Sequence, residues 1–178
     1  MLDWHYASDG EYADLANFVC AETPGRDAAG HLQMNGVLRS QLVAQTGIRD
    51  GIQFPLPRDE HVLIGRDQHG AAAVAWWCEL AGPQRVKLLV MAVSLRLRGC
   101  KIRVGSQVKT YGDLLIEEFE SRLLENVDPA LVRCVSAYCV IDSDNGPSQR
   151  LVQRHGYYYM AETDGHQEWW TRLDLPEV

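Results

Sequence analysis

The spacing of apolar positions changes twice along this chain. Near the N-terminus, Trp4-His5-Tyr6 is long enough for one short strand, and Asp9-Gly10 marks a turn. From Glu11 to Cys20, residues Tyr12, Leu15, Ala16 and Val19 fall on one side of a helix. Pro24-Gly25 breaks that pattern. Ala28 to Gln45 then carries Leu32, Val37, Leu38, Leu42 and Val43 in a looser helical spacing, weakened by Gly30 and Gly36. Arg49 to Glu60, with Gly51, Pro55 and Pro57, reads as a loop.

Strand patterns follow. His61 to Arg66 is the first, and Asp67 to Gly70 is a hairpin turn. Ala71 to Leu80 is the second, with a turn at Gly82-Pro83. Arg85 to Val93 is the third. Being almost wholly apolar after Lys87, it fits a central strand covered on both faces. A polar, glycine-bearing segment from Ser94 to Gly112 leads into a helix over Asp113 to Glu125, with Leu115, Phe119 and Leu123 on one face and a stop at Asp128-Pro129. Val132 to Ile141 is again a strand. Asp144 or Asn145 can cap the next helix, Pro147 suits its first turn and Gly156 its end. Tyr157 to Glu162 and Glu168 to Leu173 form two strands around Asp164-Gly165. This order predicts an α+β fold: a mixed sheet with helices on its faces.

Composition narrows the setting. The 178 residues suit one domain, and 46% apolar residues are enough to build a core. The acidic, interrupted N-terminus is no signal peptide, and no apolar run reaches the ~18 residues that span a bilayer. A cytoplasmic protein without a membrane partner is the expectation. The five cysteines are odd in number and lack Cys-x-x-Cys spacing, which argues for buried thiols over disulfides or zinc. The six histidines are scattered, so no metal is expected. A net charge of −7 disfavours nucleic acid. Yet Val86 to Gly112 contains no Asp or Glu, while holding Lys87, Arg96, Arg98, Lys101, Arg103 and Lys109. A basic island in an acidic chain fits either a solvated face or a small polyanionic ligand.

Two constellations carry chemistry. The first is a central strand followed by Arg96-Leu97-Arg98-Gly99-Cys100-Lys101 and then a helix. Backbone N–H groups of a glycine turn and a helix N-terminus converge on anions, and Arg98 adds a guanidinium suited to phosphate. The second runs from Asn145 through Ser148 and Leu151 to Gly156-Tyr157, directly after a strand. Together, MAVSLRLRG and NGPSQRLVQRHGY resemble the coenzyme-binding half of the GNAT superfamily of N-acetyltransferases, over roughly Val86 to Leu173.

The resemblance implies a mostly antiparallel sheet whose two central strands splay to admit acyl-CoA. It divides the chain into an acceptor-side half (1–84) and an acyl-CoA-binding half (85–173). It implies that backbone groups of Met91 and Val93 pair with pantetheine, with the Val93 N–H polarising the thioester carbonyl. It places Arg96, Arg98, Gly99 and Gly112 at the pyrophosphate, and Asn145 and Ser148 on the pantetheine arm. Two departures stand out. Lys101 and Arg103 occupy positions where the family has small residues, which points to an enlarged loop completed by Gly105 and Tyr111-Gly112-Asp113, with the helix starting near Asp113. Val152 stands where many members carry a tyrosine proposed as general acid.

On the acceptor side, an amine needs its proton removed before attack. The strand Arg85 to Val93 has no Glu, so Glu79 is the first candidate base, ahead of His155 and Tyr138, with a water chain as the alternative. Trp76-Trp77 and Trp169-Trp170 each send one indole to each sheet face. One of each pair belongs to the core, and the others can line an acceptor pocket. Surplus acidity fits a cationic amine. The expected activity is acetyl transfer from acetyl-CoA to a primary amine of a small molecule or peptide, by direct attack. The rivals are a non-catalytic acyl-CoA-binding or interaction module and an enzyme acting on charged tRNA. A homodimer is compatible with the sequence but not demanded by it.

Overall fold

A computed structural model describes residues 2–81, 84–125, 127 and 132–175. Seven strands form one sheet: β1 (Asp3–Tyr6), β4 (Glu60–Asp67), β5 (Gly70–Glu79), β6 (Arg85–Val93), β9 (Cys134–Asp142), β10 (Tyr158–Thr163) and β11 (His166–Asp174). Their spatial order is β1-β4-β5-β6-β9-β11-β10, and every pairing is antiparallel except β6 with β9. The expected mixed, mostly antiparallel sheet flanked by helices is therefore the observed one. Strands read from the two-residue period sit within a few residues of their expected bounds. The turn at Gly82-Pro83 and the helix stop at Asp128-Pro129 lie outside the described residues.

The sheet has two covered faces. On one, α3 (Tyr111–Glu125) sends Leu115, Ile116, Phe119 and Leu123 onto Leu63, Ala75, Trp77, Leu88 and Ala137, and α4 (Gly146–Arg154) adds Val152. Burying a side chain such as Phe119 stabilises the fold by about 1.5–3 kcal/mol. On the other face, α1 (Tyr12–Ala16) and the π-type turn Gly47–Gly51 bring Leu15, Phe18, Ile48 and Ile52 onto Val62, Ile64, Val74 and Ala92. The Trp pairs split as alternation requires: Trp77 and Trp169 are core residues, whereas Trp76 and Trp170 face the other side.

The N-terminal helices differ from the pattern-based expectation. Instead of Glu11 to Cys20, α1 ends at Ala16, where the Asn17 side chain donates to the Ala13 carbonyl (2.7 Å) and closes the turn. Instead of a helix from Ala28, a small hairpin forms from β2 (Gly25–Arg26) and β3 (Leu32–Gln33). The Asp27 carboxylate accepts the N–H groups of Ala29 and His31 there, an Asx turn that competes with helix. The helix proper, α2 (Gly36–Thr46), starts only after Asn35 caps it through the Leu38 N–H (2.8 Å). It continues into the Gly47–Gly51 turn, so the stretch expected to be loop from Arg49 is partly helical.

Candidate acyl-CoA cleft

The parallel pair at the centre of the sheet is incomplete. Arg85–Leu88 pair with residues 136–139, but β6 continues to Val93 and β9 to Asp142 without pairing further. At the divergence β6 carries a bulge: Trp76 pairs with Val90 and Trp77 with Leu88, leaving Leu89 as the extra residue. A bulge bends its strand, and this one lies where β6 leaves β9.

The ladder on the opposite side of β6 fixes which backbone groups face the gap. The Ser94 N–H donates to the Ala72 carbonyl (2.8 Å), and Val93 is in register with Ala73 and Met91 with Ala75. Hydrogen-bonded and non-hydrogen-bonded pairs alternate in an antiparallel ladder. Val93 and Met91 are therefore the non-bonded pairs, and their N–H and C=O groups point away from β5, toward the space that β9 has left.

Two cavities of about 320 and 620 Å³ occupy this space and share Ser40, Ala44, Met91, Asn145, Ser148 and Leu151 as walls. Helix α2 spans the cleft in front. It is tied to one wall by the bond from Arg98 to Gln41 (2.8 Å) and to the other by Arg39, 3.1 Å from Asp142 and 3.7 Å from Asp144. Gly36 sits so close to Asp144 that a Cβ there would lie 2.0 Å from the aspartate Cβ.

At one end stand the elements expected to meet an anion. Leu95–Leu97 form a 3₁₀ turn, and Gly99 follows with φ +71°, a conformation that side chains disfavour. The chain then makes a hairpin, β7 (Lys101–Val104) with β8 (Gln107–Thr110), before α3 begins at Tyr111. The enlarged loop thus takes the form of a hairpin. The helix starts two residues earlier than expected because Thr110 caps it. The Asp113 N–H donates to Thr110 Oγ1 (3.2 Å), while the Thr110 N–H and hydroxyl donate to the Asp113 carboxylate (2.8 and 2.7 Å). That exchange leaves the first helical N–H groups, at Tyr111 and Gly112, for an anion. Burial pushes the Asp113 carboxyl up, but bonds from Thr110, Arg154 and His155 outweigh it and hold the group well below the usual carboxylate range.

Seven of the nine residues expected at the site converge here. Met91, Val93, Arg98, Gly99, Gly112, Asn145 and Ser148 all line the smaller cavity. Asn145 Oδ1 caps α4 through the Ser148 N–H (3.4 Å), leaving its amide nitrogen for a ligand. Arg96 instead turns to the far end of β4, where its guanidinium bonds Asp67 (2.8 Å) and lowers that carboxyl below its ordinary value. Glu79 lies at the other end of β5, paired with His61 (3.0 Å). It is six residues along the strand from Ala73, the register partner of Val93, or roughly 20 Å away.

His155 is also engaged, bonded to Asp113 (3.1 Å). Tyr138 stacks on Trp170 (centroids 4.6 Å apart, 13° between planes), and Lys87 and Arg85 lie over these two rings. The chain's own cations thus already sit on the indole and phenol left open on that face.

The walls also include residues that the sequence pattern did not single out. Ser40, Gln41 and Ala44 come from α2. Asp164 and His166 come from the turn between β10 and β11. His166 is the register partner of Asp142, and its Nδ1 lies 3.0 Å from the Asp164 carbonyl. A carbonyl only accepts, so Nδ1 carries a proton, and in the neutral ring the lone pair is then on Nε2. Cys20 and Cys139 also border the cleft. Burial pushes their thiols up to about 11 and about 12, so neither is a ready nucleophile.

Neither a protein-family model nor a curated protein sequence matches the chain. Solved structures match it over nearly its whole length. A GNAT-family acetyltransferase from Staphylococcus aureus Mu50 is similar at TM-score 0.62 and 10% identity, over 98% of this chain and 100% of the other. The GNAT domain of S. lividans PAT is similar at TM-score 0.63 and 11% identity, over 97% and 90%. The chain has the GNAT acetyltransferase fold. The Escherichia coli ribosomal-protein-S18-alanine N-acetyltransferase is similar at TM-score 0.56 and 12% identity, over 100% and 96%. Among the described residues, no helix of this GNAT-fold chain is long and apolar enough to cross a membrane.

Proposed function

We propose that the protein is an N-acyltransferase that moves an acetyl group from acetyl-CoA to a primary amine. The carrying observation is the gap between β6 and β9, into which Met91 and Val93 turn unpaired backbone groups beside an anion site. Pantetheine carries amides that can pair with such groups as an added strand would. Arg98, the Gly99 turn and the α3 N-terminus supply the charge and N–H groups that a pyrophosphate needs.

In the reaction, the amine lone pair attacks the thioester carbonyl, a C–N bond forms and the C–S bond breaks. The Val93 N–H stabilises the oxygen on which negative charge develops. The attacking nitrogen must shed a proton. Glu79 is remote from the cleft, whereas His166 borders it and holds the lone pair of its neutral ring on Nε2, so the base role passes to His166. Among the described residues that line the cleft, Tyr111 is the one phenol, and it stands at the phosphate end. The departing thiolate, with a pKa near ~8.5, therefore takes its proton from water. Asp164 beside His166 favours a cationic amine as acceptor.

The test is acetylation of a broad amine panel, with His166→Gln alongside. The wild type should transfer acetyl groups. The variant should lose about 10²–10⁴-fold in kcat, with acetyl-CoA affinity kept. Tight acetyl-CoA binding without transfer to any amine would favour a non-catalytic coenzyme-binding module instead.

A further inference from the structure

We propose that the β7–β8 hairpin is a clamp for the 3′-phosphate on the ADP half of the coenzyme. This rests on the acyl-CoA reading above and goes beyond it. The hairpin stands between Gly99 and Tyr111, the two sides of the anion site, so whatever lies outward of a bound pyrophosphate meets it first. Its register pairs Lys101 with Thr110 and Arg103 with Val108. Cross-strand partners share a face, as do residues two apart. Lys101, Arg103, Val108 and Thr110 therefore form one face, and Thr110 lines the cavity.

The other face is anchored. Ile102 is half-buried, and Lys109 donates two 2.7 Å bonds to Glu117 of α3. With that side held against the helix, the Lys101–Arg103 face is turned away from α3, and Thr110 carries that face to the edge of the cleft.

The charges there are uncompensated. Lys101 and Arg103 are exposed, with no hydrogen-bond or ion-pair partner among the described residues. The carboxylates near the hairpin on α3 are engaged elsewhere, Asp113 by Thr110, Arg154 and His155, and Glu117 by Lys109. Reach is sufficient. Consecutive Cα atoms are about 3.8 Å apart, so the Cα of Lys101 lies within roughly 8 Å of that of Gly99, close beside the pyrophosphate turn. A ligand group one ribose away from the pyrophosphate falls between the two cations. A phosphate monoester carries about −1.5 to −2 charges near neutral pH, matching two unpaired cations better than any neutral group of the coenzyme.

The experiment compares coenzyme A with 3′-dephospho-coenzyme A, both titrated calorimetrically into the wild type and into Lys101→Ser/Arg103→Ser. The wild type should bind coenzyme A about tenfold more tightly, a preference that shrinks as salt is raised. The double variant should bind both ligands alike, at the wild-type affinity for the dephospho form. Lys101→Arg/Arg103→Lys should keep the preference, and Gln107→Ser, on the anchored face, should leave it unchanged. Equal binding of the two ligands by the wild type would overturn the clamp, as would a double variant that weakens both equally. Binding of neither ligand by the wild type would overturn the acyl-CoA reading and the clamp with it.

Discussion

Glu120 of α3 lies inside the layer between helix and sheet, away from the cleft. Burial pushes its carboxyl up to about 7, the Tyr157 hydroxyl offsets this only in part, and the Glu117 charge adds to the rise. The folded chain therefore holds a proton that the unfolded chain, with an ordinary value of 4.5, has already lost. Stability from this residue is full below pH 4.5 and falls as pH rises toward 7. Glu120→Gln keeps the neutral shape without the titration. Its thermal midpoint should match the wild type at pH 4, exceed it at pH 8, and gain most of that advantage between about 4.5 and 7. Parallel pH–stability curves for the two proteins would contradict this account. Asp113 has the opposite sign. Its carboxylate is held in the charged form by four hydrogen bonds, so Asp113→Asn should cost about 1–3 kcal/mol at pH 7, read by denaturant titration. That difference should disappear only in strong acid.

Among the elements, α2 is the one whose role is least written in its apolar pattern. It buries no residue fully and is held by polar contacts: Arg39 to Asp142, Gln41 to Arg98, and Gln45 to the N–H groups of Cys20 and Ala21 (3.0 and 3.1 Å). Gly36→Ala would drive a Cβ into Asp144 near its own backbone, where little can yield. The expected loss is about 1–3 kcal/mol, with Tm falling roughly 2–4 °C per kcal/mol, and acetyl-CoA binding should weaken as the front wall shifts. An unchanged Tm would show that α2 rides freely over the β9–α4 junction. The same helix shows why part of the fold was hidden in the sequence. Strands β4, β5, β6 and β9 bury alternating or continuous apolar side chains, and that period is legible. Helix α2, the Asx turn at Asp27 and the β7–β8 hairpin are fixed by side-chain-to-backbone bonds and turn chemistry, which apolar spacing does not report. Thr110-x-x-Asp113 was a readable capping signal for the start of α3.

The candidate site shows the same division. Met91, Val93, Arg98, Gly99, Gly112, Asn145 and Ser148 were legible because two strand-to-helix passages, marked by MAVSLRLRG and NGPSQRLVQRHGY, resemble those of a known family. Arg96 was not separable from Arg98 by sequence, since only the fold shows that Asp67 lies within its reach. His166 had no local signature at all. It joins the cleft through a hairpin turn and its register with Asp142, a relation between distant residues.

At the scale of the whole molecule, one feature organises the rest: a sheet that is continuous on both sides of β6 near Leu88 and open beyond it. The bulge at Leu89 bends β6, α3 and α4 fill the rear, α2 bridges the front, and the acid-free stretch from Val86 to Gly112 ends at the mouth. A chain of net charge −7 thereby presents a locally basic segment at the Arg98–Gly99 end of the cleft, which would draw a small polyanion while the chain as a whole repels nucleic acid. The central claim is that this cleft holds acetyl-CoA. The most direct test is calorimetric titration of the wild type, Arg98→Ala and Asn145→Ala with acetyl-CoA. The wild type should show one site per chain with a Kd of order micromolar, weakened roughly tenfold or more in each variant. Absence of binding by a folded wild-type protein, or binding that neither substitution alters, would contradict it.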